Sequence, residues 1–93
     1  MSYPQKIEIH LDDKLPLCLM FNEEFPNFGI ELCLKIASYF STRRCENSIM
    51  TINEILAYSF VVYDDLKIDN NKIPYDKFNT KFKKIILKFY GVN

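Results

Sequence analysis

The sequence predicts a small α+β domain, with an N-terminal β-hairpin over about 6–21 followed by three amphipathic helices over about 28–42, 52–66 and 75–90. Two observations support this fold class. Apolar residues alternate with polar ones near the N-terminus, as on strands, and later recur every three or four residues, as on helices. Because 48% of the 93 residues are hydrophobic and only two are glycine, we expect one folded domain over 1–93.

The predicted hairpin depends on two alternating runs separated by a turn. Residues 6–11 alternate apolar with polar side chains, and residues 12–14 are an Asp-Asp-Lys turn. Residues 15–21 alternate again, but Cys18 and Met20 make the second face of this run apolar as well. We therefore expect a first strand with one solvent-exposed face and a second strand that is covered on both faces.

The segment 28–42 fits a helix better than a strand, although residues 30–36 also alternate. A helical wheel gathers the polar residues into one narrow stripe, formed by Glu31, Lys35, Ser38 and Thr42. Glu31 and Lys35 have the spacing of a favourable ion pair within a helix. Asn27 is the expected N-cap.

The last two predicted helices have local start and stop signals. Thr51 and Glu54 match a capping box, in which each side chain accepts a hydrogen bond from the other residue's backbone. The β-rich run 60–63 leaves open a break in the helix 52–66. The final helix follows Pro74 and has an apolar stripe from Phe78 onward. Gly91 follows it as a C-cap, the position where glycine commonly ends a helix.

The net charge of zero hides an uneven distribution. Residues 1–66 contain five basic and ten acidic side chains, whereas residues 67–93 contain seven lysines and two aspartates, so the two parts carry −5 and +5. Four lysines line up along the last helix, and we call this row the lysine ridge: Lys77, Lys81, Lys84 and Lys88. Such a row can follow a phosphate backbone, but lysines are also common on solvated helix faces, and the ridge contains no arginine for reading bases.

We expect no catalytic centre, no metal site and no cofactor. His10 is the only histidine and lies on the polar face of a predicted strand, and the three cysteines, Cys18, Cys33 and Cys45, lack the paired spacing of zinc ligands. An odd number of cysteines indicates reduced thiols. The first residues lack a signal-peptide pattern, and no apolar run is long enough to span a membrane. These features predict an intracellular protein, cytoplasmic or nuclear, that is not an enzyme.

Residues 25–66 resemble the central helices of Elongin C-like, POZ-type cullin adaptors. The shared pattern is a proline-led entry followed by paired residues at Leu32 and Leu34, Lys35-Ile36, Tyr39-Phe40, Arg43-Arg44 and Asn47-Ser48, and then the helix 51–66. The resemblance implies a non-enzymatic adaptor that receives a partner's helix in an apolar groove. It makes four aromatic residues candidates for that groove: Tyr39, Phe40, Phe60 and Tyr63. The alternative is that all four belong to the core.

Two functions are consistent with these features. The first is an intracellular protein-interaction module, adaptor or regulator, with a protein partner or self-association, that uses an apolar helix groove and the basic last helix. The alternative is a small nucleic-acid-binding regulator that uses the lysine ridge. The high content of Ile, Lys, Asn and Tyr would suit an AT-rich genome, viral or protozoan.

Overall fold

Four α-helices and two short strands make up the part of the chain that the structure describes. The computed structural model describes residues 6–41 and 48–91. The elements are β1 (Lys6–Ile9), α1 (Lys14–Glu24), α2 (Ile30–Ser41), β2 (Ser48–Thr51), α3 (Ile52–Asp65) and α4 (Tyr75–Phe89), with short 3₁₀ turns at Leu11–Asp13 and Ile68–Asn71. The combination of mostly helical structure with one small antiparallel sheet confirms the α+β prediction.

The predicted hairpin over 6–21 is wrong, because its second half is a helix. The strand β1 ends at Ile9, and the residues after the turn form α1. Leu17, Cys18 and Phe21 are buried, which is the i, i+1, i+4 spacing of one helical face. Since this segment is apolar on almost every side, a period of two and a period of 3.6 both fit its sequence, and packing selects the helix. The described chain therefore has four helices rather than three.

The partner of β1 is the distant strand β2. The two strands pair antiparallel, with Ile7 opposite Met50 and Ile9 opposite Ser48. Ile7, Ile9 and Met50 are buried, so one face of the two-stranded sheet covers the helices. This pairing joins the start of the described chain to the segment that leads directly into α3.

The three predicted helices are confirmed, with small differences at their ends. Helix α2 begins at Ile30 rather than near Asn27, and the carbonyl of Gly29 accepts a hydrogen bond from the Cys33 amide (3.2 Å). The predicted N-cap at Asn27 is therefore wrong. Gly29 has a φ of 87°, a left-handed conformation that glycine adopts without steric cost. Gly91 likewise has a positive φ of 70° just after α4, as predicted.

Helix α3 begins with the predicted capping box and has no break. The Thr51 hydroxyl accepts a hydrogen bond from the Glu54 amide (3.2 Å), and the Glu54 carboxylate accepts one from the Thr51 amide (2.7 Å). The β-rich run 60–63 continues as helix to Asp65. Tertiary packing of Ile55, Ser59 and Val62 outweighs the local preference of that run.

Aromatic rings fill the centre of the core. Phe21 lies against Phe82 with ring centroids 5.8 Å apart, and Phe25 lies against Phe78 at 5.4 Å. These contacts hold the C-terminal end of α1 against α4. All four rings are almost completely buried, and each contributes the large hydrophobic area typical of core aromatic residues.

The buried hydroxyl of Ser59 connects α3 to α4. Its Oγ donates to Asn79 Oδ1 at 2.7 Å and lies 2.8 Å from the Tyr75 hydroxyl. Since a serine hydroxyl has one proton, the Tyr75 hydroxyl is the donor in the second bond. Ser59 is thus a polar residue inside an apolar interface, and its hydroxyl has hydrogen-bond partners on α4.

We expect the substitution Ser59→Ala to lower the free energy of unfolding by about 1–3 kcal/mol, because it leaves Asn79 and Tyr75 without their partner in a buried site. Urea denaturation measures the change. The matched control is Thr80→Ala, which removes an exposed hydroxyl from α4 and should change stability by less than about 0.5 kcal/mol. Equal effects of the two substitutions would contradict the role assigned to Ser59.

The thiols of Cys18 and Cys33 are buried, and burial raises the pKa of both. The pKa of Cys33 rises from 9.0 to about 11, first through desolvation and second through the neighbouring Cys18. Because the thiolate is the reactive form, we expect both residues to resist iodoacetamide at pH 8 in the native protein and to react rapidly in urea. Peptide mass spectrometry separates them from Cys45, which lies outside the described residues. Rapid native labelling of Cys33 would contradict this packing.

The same shift predicts a loss of stability at alkaline pH. The folded state keeps the Cys33 proton at pH values where the unfolded state has already lost it. The contribution of Cys33 to the free energy of unfolding is therefore complete below pH 9.0 and disappears as the pH approaches about 11. Urea denaturation of the native chain and of Cys33→Ala across this pH range tests the prediction. The free energy of unfolding of the variant should fall less with rising pH than that of the native chain.

Candidate functional site

The structure divides the predicted groove aromatics between two places. Tyr39 lies at the contact between α2 and α3, where its hydroxyl donates to Asp65 Oδ2 (2.6 Å) and its ring meets the edge of Tyr58 at 5.8 Å. Phe40 lies on α2, and its side chain is outside what the structure describes. Tyr39 is therefore half-buried in an interhelical contact.

Phe60 and Tyr63 lie together on the other side of α3. Both rings meet Tyr75 edge to face, at centroid distances of 5.4 and 5.3 Å. The Tyr63 hydroxyl donates to the carbonyl of Ile73 (2.6 Å), which fixes that ring against the segment before α4. Phe60 stays 58% exposed. The structure thus brings Phe60 and Tyr63 together but separates them from Tyr39.

The lysine ridge runs beside the C-terminal end of α1. Lys81 Nζ donates to the carbonyl of Glu24 (2.9 Å) and lies 5.4 Å from the centre of the Phe25 ring. Lys84 Nζ lies 3.3 Å from Glu24 Oε2. Lys77 and Lys88 are exposed. Two lysines of the ridge therefore contact an acidic residue of the same chain, and the two outer ones point to solvent.

A shallow cavity of about 230 Å³ adjoins the ridge, between the α1–α2 loop and the start of α4. Lys72, Lys77 and Lys81 contribute to its wall, together with Glu24 and Phe28. Three of its wall residues are lysines and one is a glutamate.

Four of the six large hydrophobic side chains that are exposed in the described residues lie on α1 and α2, and the other two, Phe60 and Val61, lie on α3. Leu15 is 62% exposed, Leu19 56%, Ile30 53% and Leu34 38%. We call these four residues the aliphatic face. Sequence reasoning missed it because a strand would place Leu15, Leu17 and Leu19 on one side, whereas the helix turns Leu17 inward. The available signal was the surplus of apolar residues on both faces of 15–21.

The geometry of the α1–α2 pair makes the aliphatic face continuous. A loop over residues 25–29 joins the two helices, which pack against each other as an antiparallel hairpin. The Cys18 thiol lies 3.9 Å from the carbonyl oxygen of Ile30, so the Leu19 level of α1 lies beside the Ile30 level of α2. One helical turn away, Leu15 is then level with Leu34. All four side chains are exposed, so each pair lies on the solvent side of the contact between the two helices.

The described residues offer little chemistry beyond these surfaces. No group of three or more His, Cys, Asp or Glu side chains in residues 6–41 and 48–91 could hold a metal ion. No helix in the same ranges is long and apolar enough to cross a membrane. His10 lies on the surface, where its Nε2 is 3.6 Å from Glu8 Oε1 and its amide donates to Asp13 Oδ2.

No protein-family model, characterised protein or solved structure matches this chain. The resemblance of residues 25–66 to Elongin C-like adaptors therefore stays a prediction. Two surfaces of the described residues are candidate binding sites, the aliphatic face and the lysine ridge.

Proposed function

We propose that this protein is a protein-interaction module whose binding surface is the aliphatic face of α1 and α2. The observation that supports this proposal is the exposure of four large aliphatic side chains, between 38% and 62%, on one side of a helical hairpin. Contiguous exposed apolar surface is typical of sites that another protein covers. The surface differs from the aromatic groove that the sequence predicted, but the class of function is the same.

Energetics favour a binding role for these residues over a folding role. Full burial of a Leu or Ile side chain stabilises by about 1.5–3 kcal/mol, and roughly half of that remains available at residues that are 38% to 62% exposed. Among the described residues, eighteen buried hydrophobic side chains already form the core without them. A partner that covered the face would gain this remaining hydrophobic free energy on association.

The double substitution Leu19→Ser and Leu34→Ser tests the proposal. We expect it to weaken association by at least about tenfold, because it removes two of the four apolar contacts, while thermal unfolding shows an unchanged fold. Sedimentation velocity measures self-association, and affinity capture measures binding of other proteins.

The control is Phe60→Ser, which replaces an apolar residue on α3 whose exposure, 58%, is close to the 56% of Leu19. It should leave association unchanged. A partner that binds the native chain and the Leu19/Leu34 variant equally well would exclude the aliphatic face as the binding surface.

Nucleic-acid binding by the lysine ridge is the second candidate. The exposed side chains of Lys77, Lys84 and Lys88 on one row of α4 favour it, whereas the contacts of Glu24 with Lys81 and Lys84 oppose it by placing an acidic residue on the ridge. Since each phosphate contact releases counterions, binding through the ridge must weaken steeply as salt rises.

This candidate predicts that replacing Lys77, Lys81, Lys84 and Lys88 by Gln abolishes retention of a labelled single-stranded oligonucleotide. The log–log salt slope should fall by roughly 0.7 for each lysine that contacts a phosphate. The control is Lys83→Gln, an exposed lysine of α4 outside the ridge. Retention that is unchanged in the four-lysine variant would exclude the ridge.

A further inference from the structure

We infer that the partner covering the aliphatic face is a second copy of this chain. The inference rests on the proposed function and names its partner. In the resulting dimer the α1–α2 hairpins of two copies pack face to face as a four-helix bundle, with α2 antiparallel to α2 of the second copy. Three features of the two helices support this arrangement.

The first feature is the square arrangement of the four aliphatic residues. Leu15 and Leu19 are one turn apart on α1, and Ile30 and Leu34 are one turn apart on the adjacent α2. The contact between Cys18 and Ile30 places the midpoints of the two pairs at the same level of the hairpin. A two-fold axis that crosses both helices at that level, in the plane of the contact, places each helix against the same helix of the second copy. The first residue of each pair then faces the last residue of the same pair in the other copy.

The second feature is that this rotation matches apolar residues with apolar residues. It places Leu15 against Leu19 of the second copy and Ile30 against Leu34 of the second copy. A two-fold interface uses the same surface patch on both subunits, so the patch must be complementary to itself. The aliphatic face meets this condition because both of its rows have the same i, i+4 spacing.

The third feature is charge complementarity at the edge of the face. Glu31 and Lys35 each follow one of the α2 aliphatic residues, and both side chains are exposed. Neither makes an ion pair within the part of the chain that the structure describes. The rotation that opposes Ile30 and Leu34 also brings Glu31 of each copy next to Lys35 of the other. Two symmetric ion pairs then flank the apolar contact.

The charge of the whole chain permits this association. The net charge is zero, so two copies meet without net long-range repulsion. The lysine ridge does not interfere, since Leu15 and Glu24 are nine residues apart on α1 and therefore point to opposite sides of that helix. The self-complementary order of Glu31 and Lys35 is what distinguishes a second copy from an unrelated partner.

Charge reversal at the two edge residues tests the dimer without changing the core. The mass in solution of the native chain, Glu31→Lys, Lys35→Glu and the double reversal E31K/K35E is measured by sedimentation equilibrium from about 1 μM to 1 mM. We expect the native chain to dimerise. Each single reversal places like charges together twice and should weaken the dimer about tenfold, and the double reversal should restore it.

Each other outcome overturns a defined part of the inference. A native chain that stays monomeric at about 1 mM overturns the second copy as partner, and the proposed function survives if Leu19→Ser with Leu34→Ser still abolishes capture of another protein. A dimer that this aliphatic variant does not weaken overturns both proposals. Single reversals that the double reversal does not rescue overturn the antiparallel arrangement of α2. Thermal unfolding of every variant verifies that the monomer fold is intact.

Discussion

The contact between α1 and α4 is the constraint on which the rest of the structure depends. Phe21 packs against Phe82 and Phe25 against Phe78, so the aromatic cluster joins residues that are more than fifty positions apart in sequence. This contact closes the helical part of the fold, as the pairing of β1 with β2 closes the other part. It also brings Glu24 beside Lys81 and Lys84, so the partial neutralisation of the lysine ridge is a consequence of core packing.

The same contact explains why the aliphatic face exists. Because Phe21 must point into the core, helical geometry also turns Leu17 and Cys18 inward and leaves Leu15 and Leu19 on the outer side of α1. The core determines which positions are exposed, but it does not require apolar residues there. Polar side chains at those positions would leave the inward-facing residues of α1 unchanged. The hydrophobic character of the exposed positions therefore needs a reason other than folding, and burial against another chain provides one.

The fold could be predicted from the sequence where local signals fix it. The capping box of Thr51 and Glu54, and Pro74 and Gly91 around α4, define their helices without any distant contact. Helix α1 could not be predicted, because its apolar residues satisfy both periodicities and only the packing of Phe21 selects one. The pairing of β1 with β2 is also non-local. In the candidate site, the lysine row was visible in the sequence, but the contacts of Glu24 and the outward position of Leu19 depend on tertiary structure.

The two surfaces of the chain are compatible with each other. The aliphatic residues of α1 and Glu24, which contacts the lysine ridge, lie on opposite sides of α1, since Leu15 and Glu24 are separated by two and a half helical turns. A dimer formed through the aliphatic face would leave both ridges exposed and relate them by its two-fold axis. It would then double the number of lysines that a single anionic partner could contact. Glu24 reduces the positive charge of the ridge, so one ridge alone would bind an anionic partner weakly. Two ridges on one dimer would bind the same partner more tightly through bivalency, without any new kind of contact. Self-association is therefore the step that would make the second surface effective.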